Sequence, residues 1–287
     1  MDRQNNSETS SQTSSKSQPH VTSAAASDVA SRAASETADA TQPLCGVLVV
    51  DKPIGWSSMD VIRRIRRSAG QRKLKAGHAG TLDPLATGVL VCCIGKATKL
   101  AEKLMGQSKV YEAEVDLSAF TTTDDKEGER DEMAIDEPPA REIVEEALKQ
   151  FVGDIEQTPP AFSAIHVNGK RAYDLARAGK EVKIASRIVK VYEATLLDYH
   201  WPVATVKIHC GKGTYIRSIA RDLGKELGTG GHLASLRRTV SGQFEVTNAM
   251  PGKVLEEREL KQVDLLPIDQ LVFGDETQGE EVQDDNK

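Results

Sequence analysis

The residues best suited to chemistry in this chain lie in Gly77-His78-Ala79-Gly80-Thr81-Leu82-Asp83-Pro84-Leu85-Ala86-Thr87-Gly88, which sets one histidine and one carboxylate in a glycine-rich loop almost free of apolar periodicity. Pro84 removes an amide donor and pushes Asp83 out of the helical basin toward extended geometry, while the glycines let backbone or ligand approach closely. Such a loop presents its carboxylate instead of packing it. With a reference pKa of about 3.9, an aspartate placed this way is ionised at neutral pH without tuning, which suits it to nucleophilic work. Other chemistries find less support. Gly95-Lys96-Ala97-Thr98 has Leu90 where a phosphate-binding loop needs its first glycine and Ala97 where it needs a hydroxyl, and no G-x-G-x-x-G follows a strand. Cys45, Cys92, Cys93 and Cys210 form no C-x-x-C pair and have no histidine at zinc-ligand spacing, so they read as reduced thiols and no structural metal is expected.

The elements that must position Asp83 follow from the apolar pattern. Gly46 to Val50 is a short apolar run ending at Asp51-Lys52-Pro53-Ile54-Gly55, which predicts a buried strand running into a turn with Lys52 at its end. Ser57 or Ser58 caps a helix whose apolar stripe is Val61, Ile62 and Ile65, with Arg63, Arg64, Arg66 and Arg67 over the remainder. Lys73 lies between that basic helix and the glycine-rich loop. Gly88 to Ile94 reads as a second buried strand and Val110 to Leu117 as a half-exposed one. Residues 121–140 read as a loop before a helix with Ile143, Val144, Ala147, Leu148, Phe151 and Val152 on its apolar side and Gly153 as its stop. Asn168-Gly169 signals a hairpin, followed by a helix over Tyr173 to Ala178. Strands over Arg187 to Tyr199 and Val203 to His209 precede a helix carrying Ile219, Ala220, Leu223 and Leu227. Strands and helices interspersed without a strict βαβ rhythm predict a mixed sheet.

Composition bounds the rest. The 287 residues are 39% hydrophobic and 28% charged, enough for a sizeable core. Residues 1–43 are rich in Ser, Ala and Thr with almost no large apolar side chains, and are expected to be a disordered tail, as is the acidic 272–287. No run of 18 apolar residues and no secretory leader is present, so the expectation is a cytoplasmic protein without membrane contact. The net charge of −6 is unevenly spread: segments 51–109 and 158–238 are each +8 and flank segment 110–157 at −12. Two basic blocks around an acidic one suit a polyanion-binding face opposite a solvated acidic one.

The loop G-H-A-G-T-L-D-P-L-A-T-G-V-L resembles the signature of TruB-type tRNA pseudouridine synthases, and the resemblance extends over about residues 44–271. It implies the pseudouridine synthase fold, an α+β fold with a mixed, mostly antiparallel central sheet flanked by helices, together with isomerisation of uridine 55 in the T-loop of tRNA after base flipping and Asp83 as the nucleophile. Gly211-Lys212-Gly213-Thr214-Tyr215-Ile216-Arg217 resembles the family's K-G-T-Y-I-R motif, which implies that Arg217 pairs with the aspartate through a bidentate contact, with Tyr215 two residues earlier in an extended segment facing the same way. Tyr111, in Lys109-Val110-Tyr111, stands where the family places an aromatic stacked on the target base, and Leu236 resembles an apolar residue beside it. His78 matches a histidine that fills the space a flipped base leaves, and Lys52 matches a lysine supporting the pocket or a phosphate. Arg63, Arg64, Arg66, Arg67 and Lys73 are the expected RNA contacts. The isomerisation needs no cofactor, and the expected agent is a monomer acting on the tRNA T-arm without a guide RNA. Relatives commonly carry a C-terminal RNA-binding PUA domain, for which 272–287 leaves no room. The alternative is a tRNA-binding folding helper whose action does not depend on catalysis.

Overall fold

In the computed structural model, the described residues are 43–273 except 164, 168, 169, 173, 174 and 176–183. The expected helix over Tyr173 to Ala178, apart from Leu175, and the Asn168-Gly169 turn lie outside the described residues, although the short strands β8 (His166–Val167) and β9 (Lys170–Arg171) that would flank that turn pair antiparallel.

One sheet organises the body. Its strands are β1 (Gly46–Lys52), β2 (Ala76–His78), β3 (Ala86–Ile94), β4 (Lys109–Asp116), β7 (Gly153–Gln157), β10 (Arg187–His200), β11 (Val203–Cys210), β12 (His232–Ser241), β13 (Phe244–Glu245) and β14 (Met250–Pro251). The path runs β14-β1-β3-β12-β4-β11-β10-β7, with β2 added on β3 and β13 on β12. Only β1–β14 and β3–β12 pair in parallel, which gives the mixed, mostly antiparallel α+β sheet expected from the sequence. The helices are α1 (Ser58–Ser68), α2 (Ala101–Gly106), α3 (Arg141–Lys149), α4 (Ile216–Leu227) and α5 (Val254–Glu257).

The sheet's two faces explain the two kinds of strand. In β1 and β3 alternate residues enter different clusters: Leu48, Val50, Leu90 and Cys92 join α1, α3 and α4 in the main core, whereas Val47, Val89, Val91 and Cys93 pack with Ala97, Leu104, Phe244 and Leu271 on the other side. Burial on both faces is why these segments read as unbroken apolar runs. Strands β4 and β11 bury one face only and alternate. Helix α1 starts at Ser57 with a capping box, in which the Ser57 hydroxyl accepts from the Asp60 N–H and the Asp60 carboxylate from the Ser57 N–H, and it buries Val61, Ile62 and Ile65.

The pattern misled in three places. The stretch 121–140 is not all loop, since β5 (Ala119–Thr121) pairs with β6 (Arg130–Glu132), strands too short and polar to register as alternation. Helix α3 ends at Lys149; Gly153, at φ +109°, opens β7. Ile143 is exposed because α3 lies on β10 and α4 with Val144, Ala147 and Leu148 turned inward, and Val152, beyond the end of the helix, is exposed as well. Likewise β3 begins at Ala86, two residues before the expected start, and Gly77-His78 belong to β2.

Candidate active site

Asp83 sits in the segment between β2 and β3, and that segment is pinned on both sides of it. The Ser58 hydroxyl donates to the Leu82 carbonyl at 3.0 Å and accepts from the Leu82 N–H at 2.8 Å. The Pro84 carbonyl accepts from the Gly55 N–H at 2.8 Å, and the Asp83 carbonyl from the Ala86 N–H at 3.0 Å. Leu82 and Leu85 are buried while the Asp83 side chain is 40% exposed, so the loop packs its neighbours and presents the carboxylate. Gly88, at φ +98°, lets β3 lie against β12, where a Cβ would come within 2.1 Å of the Arg238 carbonyl oxygen.

Lys52 is buried at the end of β1, and its ammonium donates to the carbonyls of Trp56 at 2.6 Å, Pro53 at 3.1 Å and Pro84 at 3.5 Å. Burial pushes its pKa down to about 8 against the opposing pull of Asp83. Lys52 therefore braces the Asp83 loop; its donors are engaged by backbone, which leaves the phosphate role expected as one alternative without support.

Arg217 meets Asp83, but not as a fork on a single carboxylate. Its Nη2 lies 3.0 Å from Asp83 Oδ2 and donates to the Phe162 carbonyl at 2.9 Å, while Nη1 lies 3.3 Å from Asp125 Oδ2 and donates to the Thr123 carbonyl at 3.2 Å. The expected bidentate contact is thus divided between two carboxylates. Both inner partners are buried, with side chains 8% exposed in Arg217 and 5% in Asp125. Tyr215 is the N-cap of α4 and Arg217 lies in the first turn, so the two face the site because a helix starts there, not through strand alternation. Buried Gln157 fixes that start: its side-chain oxygen accepts from the Tyr215 N–H at 2.8 Å and its amide donates to the Tyr215 carbonyl at 3.1 Å.

These groups open on one cavity of 420 Å³, within the size range of small-ligand sites. Asp83, Tyr111, Tyr215, Arg217 and Leu236 all line it. Leu236 stands on β12 between Ala86 of β3 and Ala113 of β4. Tyr111 is buried on the inner face of β4, and burial raises the pKa of its phenol while the nearby Arg238 guanidinium opposes the rise. Arg238 and Lys109 are lining residues that the sequence reading did not select. Arg238 is fully buried, donating from Nε to the Val89 carbonyl at 2.7 Å and from Nη2 to the Gly80 carbonyl at 3.1 Å. The Lys109 ammonium donates to the carbonyls of Met105 and Gln107, and burial lowers its pKa to about 8.

His78 is not among the lining residues. It lies on β2 opposite Cys92, half-buried, with Nδ1 enclosed and without a hydrogen-bond partner; burial first, then the charge of Arg238, lowers its pKa and favours the neutral ring. The basic residues of α1 divide into two groups. Arg63, ion-paired within the helix to Asp60 at 2.5 Å, and Arg67 are exposed on α1, and Lys73 is exposed beyond it. Arg64 is tied to Glu256 at 2.7 Å and lies 3.7 Å over the Trp56 ring, and Arg66 donates to the carbonyls of Leu74 at 3.0 Å and Ala76 at 3.1 Å. Arg66 is accordingly a structural brace and not a free phosphate contact, and Arg64 is already paired. Among the described residues no cluster of His, Cys, Asp and Glu could hold a metal ion, and burial raises the pKa of the Cys92, Cys93 and Cys210 thiols, which keeps them protonated.

A carboxylate held by a buried guanidinium at the wall of a cavity lined with aromatic and aliphatic side chains can attack a flat, polar ligand turned into that cavity. Comparison with known proteins gives this arrangement a context. Residues 66–216 match the TruB family pseudouridylate synthase N-terminal domain, and residues 217–272 match the tRNA pseudouridylate synthase B C-terminal domain. The chain is 44% identical over 225 residues to tRNA pseudouridine synthase B of Phocaeicola vulgatus, covering 76% of this chain and 96% of the relative. It is 48% identical over 216 residues to the protein of that name from Thermobifida fusca, covering 71% and 72%. Among solved structures, a Cbf5-Nop10-Gar1 complex contains a chain 31% identical with a TM-score of 0.54, over 70% of this chain and 50% of that one. An H/ACA RNP bound to a substrate RNA containing 2′-deoxyuridine contains one 30% identical with a TM-score of 0.51, over 70% and 48%. This chain thus spans about half the length of those two solved chains.

Proposed function

The chain belongs to the TruB family of pseudouridylate synthases and is an enzyme, and from that premise we propose that it converts uridine 55 in the T-loop of tRNA to pseudouridine, with Asp83 as the nucleophile. The conversion is an isomerisation. The N1–C1′ bond breaks, the base turns within the cavity, C5 bonds to C1′, the C5 proton leaves and N1 gains one, so no external redox agent or co-substrate enters the balance. Asp83 either attacks C1′ or adds to C6 of the base, and both routes need an ionised carboxylate aimed at the flipped uridine. The observation that carries this reading is the 3.0 Å contact between Asp83 and buried Arg217 at a cavity lined by Tyr111, Tyr215 and Leu236.

A uridine in a folded T-arm reaches this cavity only after leaving its stack, at a cost of a few kcal/mol. In this reading Tyr111 and Leu236 receive the base, His78 on β2 fills the gap left in the arm, and exposed Arg63, Arg67 and Lys73 hold the phosphates that set the register. The protein acts as a cytoplasmic monomer without a guide RNA. The test uses this chain and an unmodified tRNA transcript alone: tritium release from C5-labelled uridine is expected from the intact protein and not from Asp83→Ala, whose tRNA affinity stays within about threefold because phosphate contacts dominate binding. Binding without release by the intact protein would favour the folding-helper alternative and overturn this one.

A further inference from the structure

Helix α4 carries a second arginine one turn beyond Arg217, and it repeats the same pattern of contacts. Arg217 and Arg221 are four residues apart and so share a helix face. Arg217 takes Asp125 and the Phe162 carbonyl; Arg221 takes Asp124 Oδ2 at 2.8 Å from Nη1 and the Thr158 carbonyl at 3.0 Å from Nη2. The two aspartates are consecutive, and consecutive side chains of an extended segment point to opposite sides. They face one helix here because Asp124 adopts φ +60°, the sole non-glycine positive φ among the described residues, in a left-handed conformation that aspartate tolerates.

The turn bearing them is docked onto the start of β12: the Asp124 carbonyl accepts from the Leu233 N–H at 3.0 Å, and the Lys126 N–H donates to the Leu233 carbonyl at 3.0 Å. Asp125 is oriented within it by the Thr123 hydroxyl at 2.6 Å and the Glu127 N–H at 3.1 Å. Arg221 is itself fixed by two contacts of 2.9 Å with the Asp222 carboxylate, and both Arg221 and Asp124 are largely buried. Arg221 therefore grips the same two segments as Arg217, one turn away from the reacting carboxylate.

From this geometry we infer that Asp124 and Arg221 are positioning residues: their ion pair sets the placement of Asp125 and of the 158–162 segment, and through both it fixes how the Arg217 guanidinium meets Asp83. Neither residue lines the cavity. The inference rests on the reading of Asp83 as the reacting group. A purely structural ion pair would act on stability alone; this one acts on rate through Arg217.

The deciding variant is Asp124→Asn, which tolerates the same backbone conformation and removes the charge. In single-turnover tritium release its rate constant is expected to fall roughly tenfold or more, as small misplacements at a reacting group do, with the tRNA Kd unchanged within about twofold. Arg221→Met is expected to match it. In an Arg217→Lys background the additional effect of Asp124→Asn is expected to vanish, because the group through which it acts is gone. In ¹⁵N-arginine-labelled protein, restricted rotation of the Arg217 guanidinium is expected in the intact chain and lost in Asp124→Asn, a readout that does not depend on turnover. An unchanged rate, an equal loss in both backgrounds, a matching rise in Kd, or an unaltered Arg217 signal would each overturn the inference. Absence of tritium release by the intact chain would overturn the proposed function, and the arginine signal would then decide the positioning on its own.

Discussion

Arg217→Met tests whether one buried guanidinium serves both stability and chemistry. The substitution keeps an unbranched stem of similar reach and removes the positive charge, leaving two carboxylates that differ in exposure. Asp83, 40% exposed, can be solvated, so its lost ion pair contributes little to stability. Asp125, 5% exposed, is left as a buried anion with the Thr123 hydroxyl and the Glu127 N–H as its oriented donors. Removing one partner of a buried pair costs about 3–5 kcal/mol, and those two donors place the expected loss at the lower end, about 3 kcal/mol. For a folded body of this size that is a fall in Tm of roughly 5–10 °C. Adding Asp125→Asn neutralises the stranded anion while keeping an oxygen for both donors, so the double variant is expected to recover about 1 kcal/mol or more. Tritium release is expected to stay at least about a hundredfold below the intact protein in both, because Asp83 has lost its aligned partner. Thermal unfolding followed by circular dichroism and single-turnover release would be measured on all three proteins. A Tm for Arg217→Met equal to that of the intact chain, or no recovery in the double variant, would refute the argument that Arg217 compensates Asp125.

Gly88→Ala is expected to lower stability by about 3 kcal/mol or more, since the new Cβ meets the Arg238 carbonyl oxygen at 2.1 Å in a conformation already at φ +98°; a melting curve close to that of the intact protein would show that β3 and β12 can separate cheaply. Arg63→Glu with Arg67→Glu is expected to weaken tRNA binding and flatten its dependence on salt, whereas Arg66→Gln, which loses two carbonyl contacts, is expected to lower Tm instead; binding titrations over a salt series combined with melting curves separate the two. The folded-state pKa of Lys52 lies near 8, below its ordinary 10.5, so between those pH values the unfolded chain holds the proton that the folded one has released. Stability then gains on the order of 2 kcal/mol from this group as pH rises from 8 to 10, and Lys52→Met is expected to lack that gain in denaturant titrations at both pH values.

Why some of this site could be read from the sequence and some could not follows from which residues obey a local period. The strands β1 and β3 are legible because burial on both faces leaves an apolar run with no polar interruption. The placement of Asp83 is legible because Pro84 and the flanking glycines act on backbone torsions, which are local. Arg238 escaped notice beside Arg237, yet strand alternation separates them: Arg237 pairs outward with Asp51 at 2.8 Å, while Arg238 lies on the face of Leu236, two residues away, and turns into the core. Choosing Leu236 as a pocket residue and assuming a strand would have selected Arg238 with it. No comparable rule finds Asp124 and Asp125. They occupy the most acidic segment of the chain, where a solvated loop is the natural expectation, and their approach to α4 depends on one left-handed residue and on the docking of that turn against Leu233. Arg64 and Arg66 fail for the converse reason. Four arginines on one helix look alike in sequence, but Glu256 lies 192 residues from Arg64, and the carbonyls taken by Arg66 belong to the chain that returns after α1. Charge along a helix thus indicates where a polyanion could bind, and for Arg64 and Arg66 it is partners brought in by the fold that withdraw those charges from it.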